Sequence, residues 1–453
     1  MTAMPYSRPA LLFQLALCTC LLSACSSGPE RPAAPAINEG ATFSTEFPGA
    51  PVSPSDTRSW WRKAVSDTIW PPLEQALAAN PELRQAAAGI DAAKARLQQA
   101  EADKGPSLVI GAGARAVKES GDTSNSRSVG ADGTVPLDLS GALSDRVEAA
   151  AASLQATIAD ADQLRSDLAR DFLFALIDNA EATQRIALLK RQTQVSETLS
   201  RLTELRFSQG LASSVDVLQQ RDDLAELRQQ VPLTLLEQKT AANALRRVSA
   251  MTPDQTPLLV MQTLPDIRGG FAQIKPVDLL DRRGSLRASK ARIEAADARF
   301  AAALADRWPT LSLSSEVITR AMSGDVTTVI SAAVDAALTL VDSGRKVAIA
   351  AEQRAELAAA GEQYLTEWLA AVIEVDNLMH AEARLRERIA LSEQRLKTVD
   401  TLLLAARRRY ERGVSDYLPV LAALRGQQQQ QRDHLALQAE LARTRARLHR
   451  AIG

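Results

Sequence analysis

Cysteine, histidine and aromatic residues are all scarce in this chain. Of 453 residues, three are Cys, three are His and 4% are aromatic. Cys18, Cys20 and Cys25 all precede residue 26, so no disulfide framework or Cys-based zinc site can exist downstream. His380, His434 and His449 are widely spaced without neighbouring ligands, and the six Met are scattered, which leaves nothing for a metal centre. No P-loop, Gly-x-Ser-x-Gly or His-Glu-x-x-His pattern occurs. A surplus of charge is missing too. Fifty-three basic residues face 54 acidic ones, whereas a nucleic-acid partner ordinarily leaves a basic excess. These absences argue against an enzyme, a metal protein or a nucleic-acid binder. Ala, Leu, Gln and Arg are abundant instead, a composition that favours long helices.

Arg8 is the only charge among the first 24 residues, and an apolar run from Ala10 to Leu22 follows it. Such a run falls short of the roughly 20 residues that span a bilayer and fits the core of a signal peptide. Leu22-Ser23-Ala24-Cys25 resembles a bacterial lipoprotein signal, with cleavage before Cys25 and acylation of its thiol. Ser26 rather than Asp follows, which in Gram-negative lipoproteins resembles release to the outer membrane. Residues 25–58 are rich in Ser, Pro, Gly and Ala and read as an extended, lipid-anchored tether.

The rest of the chain is one unit written twice. Leu83-Arg84 reappears 203 residues on as Leu286-Arg287, and Asp103, Pro106 and Leu108 return as Asp306, Pro309 and Leu311. At the same spacing Ser140-Gly141 returns as Ser343-Gly344, Arg185-Ile186-Ala187-Leu188 as Arg388-Ile389-Ala390-Leu391, and Val217-Leu218 as Val420-Leu421. An unbroken register predicts two halves of one fold, 59–250 and 276–453, joined by residues 251–275.

Each half opens with a helix and continues with two extended segments, about 107–117 and 127–139, then about 309–319 and 327–340. Their alternation has period two. Ile330, Ala332, Val334, Ala336, Leu338 and Leu340 share one face against Ser331, Asp335 and Thr339; Val129, Ala131, Val135 and Leu137 oppose Ser128, Asp132 and Thr134. Proline-free stretches follow, predicting helices at about 141–206 and 344–409, each roughly 100 Å long at 1.5 Å per residue. Returning helices are expected at about 214–250 and 417–451, with Val217, Leu224 and Leu245 on one heptad position. The Gln run 427–431 reads as a solvated helix face.

Gly210 and Gly413 stand where a left-handed residue would end each outbound helix. Ser213 and Asp416, three residues on, are expected N-caps, with Asp216 closing a capping box. Capping accounts for these residues but not for Arg206, Phe207, Arg409 and Tyr410. With Gly210, Ser213, Ser214, Arg412, Gly413 and Asp416, those four are the candidate docking surface. Asp216, Asp416, Tyr417 and Leu418 are the candidates for a constriction.

Four strands cannot close a barrel, and open edges cannot face lipid, so strands in a membrane would require several chains. At this point the sequence resembles the TolC-like outer membrane factor family of efflux and type I secretion systems, in its NodT/OprM-like lipoprotein branch. The motifs are Trp60-Trp61 to Leu73, Ala76-Leu77-Ala78-Ala79-Asn80-Pro81-Glu82-Leu83, Arg282-Arg283-Gly284-Ser285-Leu286, Arg206-Phe207-Ser208-Gln209-Gly210 and Arg409-Tyr410-Glu411-Arg412-Gly413. The chain departs from the family at Pro419 and Ala422, where an acidic or polar residue is frequent. The resemblance implies an α+β membrane protein, a homotrimer with one β-barrel and one α-helical tunnel. It further implies a periplasmic adaptor docked on the helix tips, an inner-membrane pump of RND or ABC type, passive conduction, and no cofactor beyond lipid on Cys25. The rival reading is a lipid-anchored periplasmic coiled-coil adaptor or scaffold without a pore. Mass spectrometry of the mature N-terminus is expected to find acylated Cys25; an intact Ala24–Cys25 bond would sink the lipoprotein assignment.

Overall fold

The computed structural model describes residues 30–33, 36–38, 40–44, 59–119, 122–269, 271, 274–322, 325–339 and 341–453. The signal segment 1–24, Cys25 and Leu340 lie outside the described residues. The elements are α1 (Trp60–Ala64), α2 (Trp70–Ala79), α3 (Pro81–Ala102), β1 (Ser107–Glu119), β2 (Asp122–Leu137), α4 (Ala142–Ser208) and α5 (Ser214–Val248). A 3-10 turn at Pro276–Asp278 precedes α6 (Leu279–Arg282), α7 (Gly284–Ala305), β3 (Thr310–Met322), β4 (Asp325–Ala337), α8 (Arg345–Glu411) and α9 (Leu418–Ile452). The 203-residue spacing relates α3 to α7, β1 to β3 and α4 to α8 at both ends. Left-handed glycines recur at the same spacing: Gly141 with Gly344 and Gly210 with Gly413.

The described chain divides into two compact units. The first comprises residues 1–37, 88–159 and 287–366. Its centre is one antiparallel sheet in the order β1-β2-β3-β4, so the hairpin of each half pairs with the other through β2 and β3. Register settles which side chains share a face. Ile110 pairs with Ala131, Ala131 with Val317 and Val317 with Ile330, while Asp132 pairs with Glu316 and Glu316 with Ser331. Leu108, Ile110, Val129, Val135, Leu313, Val317, Ile330 and Val334 therefore form one apolar face. Nothing in the chain covers it: Leu108 is 71% exposed and Ile330 77%. Asp132, Glu316, Arg320 and Asp335 lie on the opposite face.

The strands differ in extent from the sequence reading. β1 and β2 pair as far as Glu119 with Asp122, and β3 and β4 as far as Met322 with Asp325. Residues 122–126 are polar throughout, which hid them from an alternation test, yet a ladder is carried by the backbone. At its other end β4 stops at Ala337, so Leu338 and Thr339 lie beyond the strand.

Each long helix leaves the sheet through a left-handed glycine and a capping carboxylate. Asp138 accepts from the N–H groups of Leu143 (3.0 Å) and Ser144 (2.8 Å). Asp342 accepts from those of Gly344 and Lys346, both at 3.0 Å. These are donors that a helix start leaves unpaired. Ala296 and Phe300 of α7 pack on Leu357 of α8. The tether is not free here, because Arg31 pairs with Asp297 (2.9 Å) and Arg354 donates to the Glu30 carbonyl (2.6 Å).

The second unit comprises residues 38–87, 160–286 and 367–453. Its core joins Trp60, Trp61, Ile69 and Leu73 to Phe172, Leu173, Leu176 and Ile177 of α4, Leu245 of α5 and Ala439 and Ala446 of α9. Charged residues pair around it. Arg443 bridges Asp178 and Glu181, and Arg450 bridges Asp167 and Glu374. The inter-repeat segment is held by its backbone: Arg268 N–H donates to Ala64 O (2.8 Å), and Arg445 donates to Ile267 O (3.0 Å). His449 stacks on Trp60 and contacts Phe271. Burial pushes its imidazole down to about 4, so it is neutral and donates through Nε2 to the Arg268 carbonyl at 2.8 Å. Ser44 hydrogen-bonds Asp376 and His380 of α8. Among the described residues, no helix is long and apolar enough to cross a membrane.

The exposed apolar face generates a direct test. Ile330 and Ser331 sit mid-strand on opposite faces. If the apolar face meets lipid, Ile330→Arg is expected to cost about 2–4 kcal/mol and sharply lower the yield of folded outer membrane protein, while Ser331→Arg has a small effect. Equal tolerance of both would show that the face does not meet lipid.

Candidate functional site: the two hairpin ends

α4 with α5, and α8 with α9, form two antiparallel hairpins. Both outbound helices end in the same motif. Gly210 has φ +73°, with Leu211 N–H donating to Arg206 O (2.8 Å) and Gly210 N–H to Phe207 O (3.0 Å). Gly413 has φ +71°, with Val414 N–H donating to Arg409 O and Gly413 N–H to Tyr410 O, both at 3.0 Å. This is the Schellman arrangement, which satisfies the last carbonyls of a helix. Arg206 and Phe207 thus stand where Arg409 and Tyr410 stand in the second end.

The returning helices start differently. Ser213 caps α5: its hydroxyl accepts from Asp216 N–H (3.2 Å), and the Asp216 carboxylate accepts from Ser213 N–H (2.9 Å). Ser214 is the first residue of α5. Asp416, expected to be the matching cap, is not one. The N-cap position of α9 is Tyr417, without a side-chain cap, and the N–H groups of Val420 and Leu421 both go to the Tyr417 carbonyl. Pro419 has no N–H to cap, and Tyr417 is drawn inward, so α9 begins one residue later than the repeat spacing dictates.

The inward position of Tyr417 also removes it from the constriction set. Its side chain is 2% exposed and packs with Leu403, Ala406, Tyr410, Val420, Leu421 and Leu424, with Leu199 of α4 against the cluster. The Tyr410 and Tyr417 rings lie 5.5 Å apart, and the Tyr417 hydroxyl donates to Gln220 Oε1 of α5. Burial raises both phenols above their ordinary range. Of the other constriction candidates, Asp216 serves the capping box, whereas Asp416 and Leu418 are exposed.

The hairpins meet through polar groups that the sequence reading passed over. The Arg206 guanidinium lies 4.3 Å from the Tyr410 ring centroid. Asp223 accepts from Ser196 Oγ (2.9 Å) and from Arg425 Nε of α9 (2.8 Å), and Gln220 Nε2 donates to Ser196 O (3.1 Å). Gln220 and Asp223 lie at i+3 and i−4 spacing from Val217 and Leu227, so polar residues on the buried stripe were the available signal. The Gln run is not one solvated face. Gln428 and Gln430 are each 3% exposed, and the Gln428 carbonyl accepts from Gln192 of α4 (3.1 Å). Five consecutive helical residues point around the whole circumference, so they cannot share a face.

Phe207, Leu211, Val215 and Leu218 at the first end, and Val414 and Leu418 at the second, are exposed. Arg409, Arg412 and Ser214 are exposed as well. The ends therefore present apolar groups mixed with guanidiniums, a composition suited to a protein interface. Among the described residues no cluster could hold a metal ion.

The model of the outer membrane efflux protein family matches residues 73–250 and again 276–453, two spans offset by the same 203 residues. The chain belongs to the outer membrane efflux protein family. It is similar to outer membrane protein OprJ of Pseudomonas aeruginosa, at 28% identity over 92% of this chain and 90% of that one. Nodulation protein T of Rhizobium leguminosarum bv. viciae is 26% identical over 98% of this chain and 92% of that one. Among solved structures, the outer-membrane channel OprN superposes with a TM-score of 0.82 at 25% identity, covering 95% of this chain and 99% of that one. The open-state MtrE outer membrane channel of Neisseria gonorrhoeae gives 0.81 at 20% identity, covering 94% and 98%. The protein is an outer membrane efflux channel of α+β fold, from a family of channels rather than enzymes, and the poreless adaptor reading is set aside.

The unequal caps are separable by amide exchange. Ser213→Ala should destabilise the first turn of α5 by about 1 kcal/mol, accelerating exchange there about fivefold. Asp416→Ala should leave the first turn of α9 unchanged. A comparable effect from Asp416→Ala would restore that residue as a cap.

Proposed function

We propose that three copies of this chain form a channel-tunnel of a tripartite efflux or type I secretion system. It would be anchored by lipid on Cys25 and pass substrates outward without performing chemistry. The observation that carries this reading is the sheet. Its apolar face is bare, and β1 and β4 leave open edges that lipid cannot satisfy. Joining β4 of one copy to β1 of the next supplies the missing partners, and three sets of four strands make a twelve-stranded barrel. The hairpin ends would then be the periplasmic docking surface for an adaptor, which connects the channel to an inner-membrane pump of RND or ABC type. Exposed Phe207, Leu211, Val215 and Val414 beside Arg409 and Arg412 support that role. Opening would separate the hairpins and break the Arg425–Asp223 and Tyr417–Gln220 contacts.

Gly210 and Gly413 give the test. No atom lies within 4 Å of a Cβ built on either, so substitution strains only the backbone, by about 1–3 kcal/mol per site for a residue forced to positive φ. Gly210→Val with Gly413→Val is expected to preserve trimer while abolishing adaptor cross-linking and efflux. Trimer with unchanged cross-linking and efflux would refute docking at these ends.

A further inference from the structure

Between the hairpins, just inside their ends, lies a groove of about 660 Å³. Val195, Leu199 and Leu202 of α4 and Val420 of α9 give it an apolar floor. The guanidiniums of Arg191, Arg206 and Arg407 border it, against one carboxylate, Glu411. Two polar groups there have no hydrogen-bond partner. Tyr410 is 8% exposed and its hydroxyl is unpaired, and Arg206 Nε is buried and unpaired although its guanidinium stacks on the Tyr410 ring. Buried donors without an acceptor are costly, so native proteins rarely keep them. Burial raises the Tyr410 phenol, so at neutral pH it carries its proton and can donate. Two donors thus call for an acceptor at one place, beside an apolar floor and an excess of positive charge. A groove of this volume with a few converging polar groups is of small-molecule size.

We propose that this groove binds a small amphipathic organic anion, its acid group accepting from Arg206 and Tyr410 and its apolar body lying on Val195, Leu199 and Leu202. An aromatic carboxylate is the simplest such ligand. The site is built by one chain and does not depend on whether the ends dock an adaptor. A bound anion would bridge α4 to α8 and so tie the two hairpins together.

The test is calorimetric titration of 2-naphthoate into the full chain in lipid nanodiscs, with empty nanodiscs as reference and 2-naphthalenemethanol as the uncharged counterpart. Saturable binding of one naphthoate per chain is expected. Loss of the charged hydrogen bond should weaken it about tenfold or more, both for the alcohol and for Arg206→Met, and Tyr410→Phe should weaken it about threefold. Thr198→Trp, an exposed position on the groove wall, should block binding without disturbing a buried residue. Binding no greater than to empty nanodiscs, or equal affinity in wild type and all three variants, would overturn the assignment.

Discussion

Backbone hydrogen bonding at the two open edges of the sheet is the constraint on which the rest of this protein depends. A strand edge in water can be solvated; a strand edge in lipid cannot. β1 and β4 are long, and the face they share with β2 and β3 is apolar and bare. A single chain therefore cannot be the finished object in a membrane. Closure needs further copies, and cyclic closure fixes that each copy contributes the same four strands. The glycine and aspartate that launch each long helix from the sheet, Gly141 with Asp138 and Gly344 with Asp342, tie every helix to a strand of that ring.

The helical part divides its stability unevenly. Around Trp60, Trp61, Phe172 and Leu173 the core is large, apolar and surrounded by paired arginines. Along the hairpins the buried positions are often polar: Gln192, Ser196, Thr203, Gln220, Asp223, Gln428 and Gln430. Apolar burial contributes in proportion to area, whereas a hydrogen bond exchanged for water contributes little net free energy. The aromatic region therefore resists opening more than the hairpins do, which is the gradient expected of a structure whose mobile parts come from its low-stability end.

Much of this was legible in the sequence, and what was not has a common cause. The repeat spacing placed α3, α4, α7 and α8, because a duplicated chain repeats its boundaries. Alternation placed the faces of β2, β3 and β4, because one face of each central row is apolar. The far ends of the hairpins were missed because Asp122 to Ser126 are polar on both faces, and pairing there is a backbone matter. Gly210 and Gly413 were legible because only the local backbone demands them. Tyr417, Gln220, Asp223 and Arg425 were not, because their roles come from partners on another helix, up to 202 residues away in the case of Asp223 and Arg425. A residue-by-residue comparison of the halves also assumes that equal positions do equal work, and that assumption failed at Asp416.

That failure carries physical content. The first end starts its returning helix with a capping box that holds Ser213 and Asp216 to each other. The second starts with an uncapped turn and an inward tyrosine, so its order rests on the cluster of Tyr410, Tyr417, Leu421 and Leu424. If the hairpins part, that cluster moves with the second hairpin, since its buried members all belong to α8, the following turn and α9. The bonds lost are those across the gap: Tyr417 to Gln220, Arg425 to Asp223, and Arg206 over Tyr410. All are polar or cation–aromatic contacts, which re-form with water when broken. The pseudosymmetry of the fold is thus broken where two hairpins must come apart without either one unfolding. One end is stabilised from within its own backbone, and the other by a packed aromatic core that can travel as a unit.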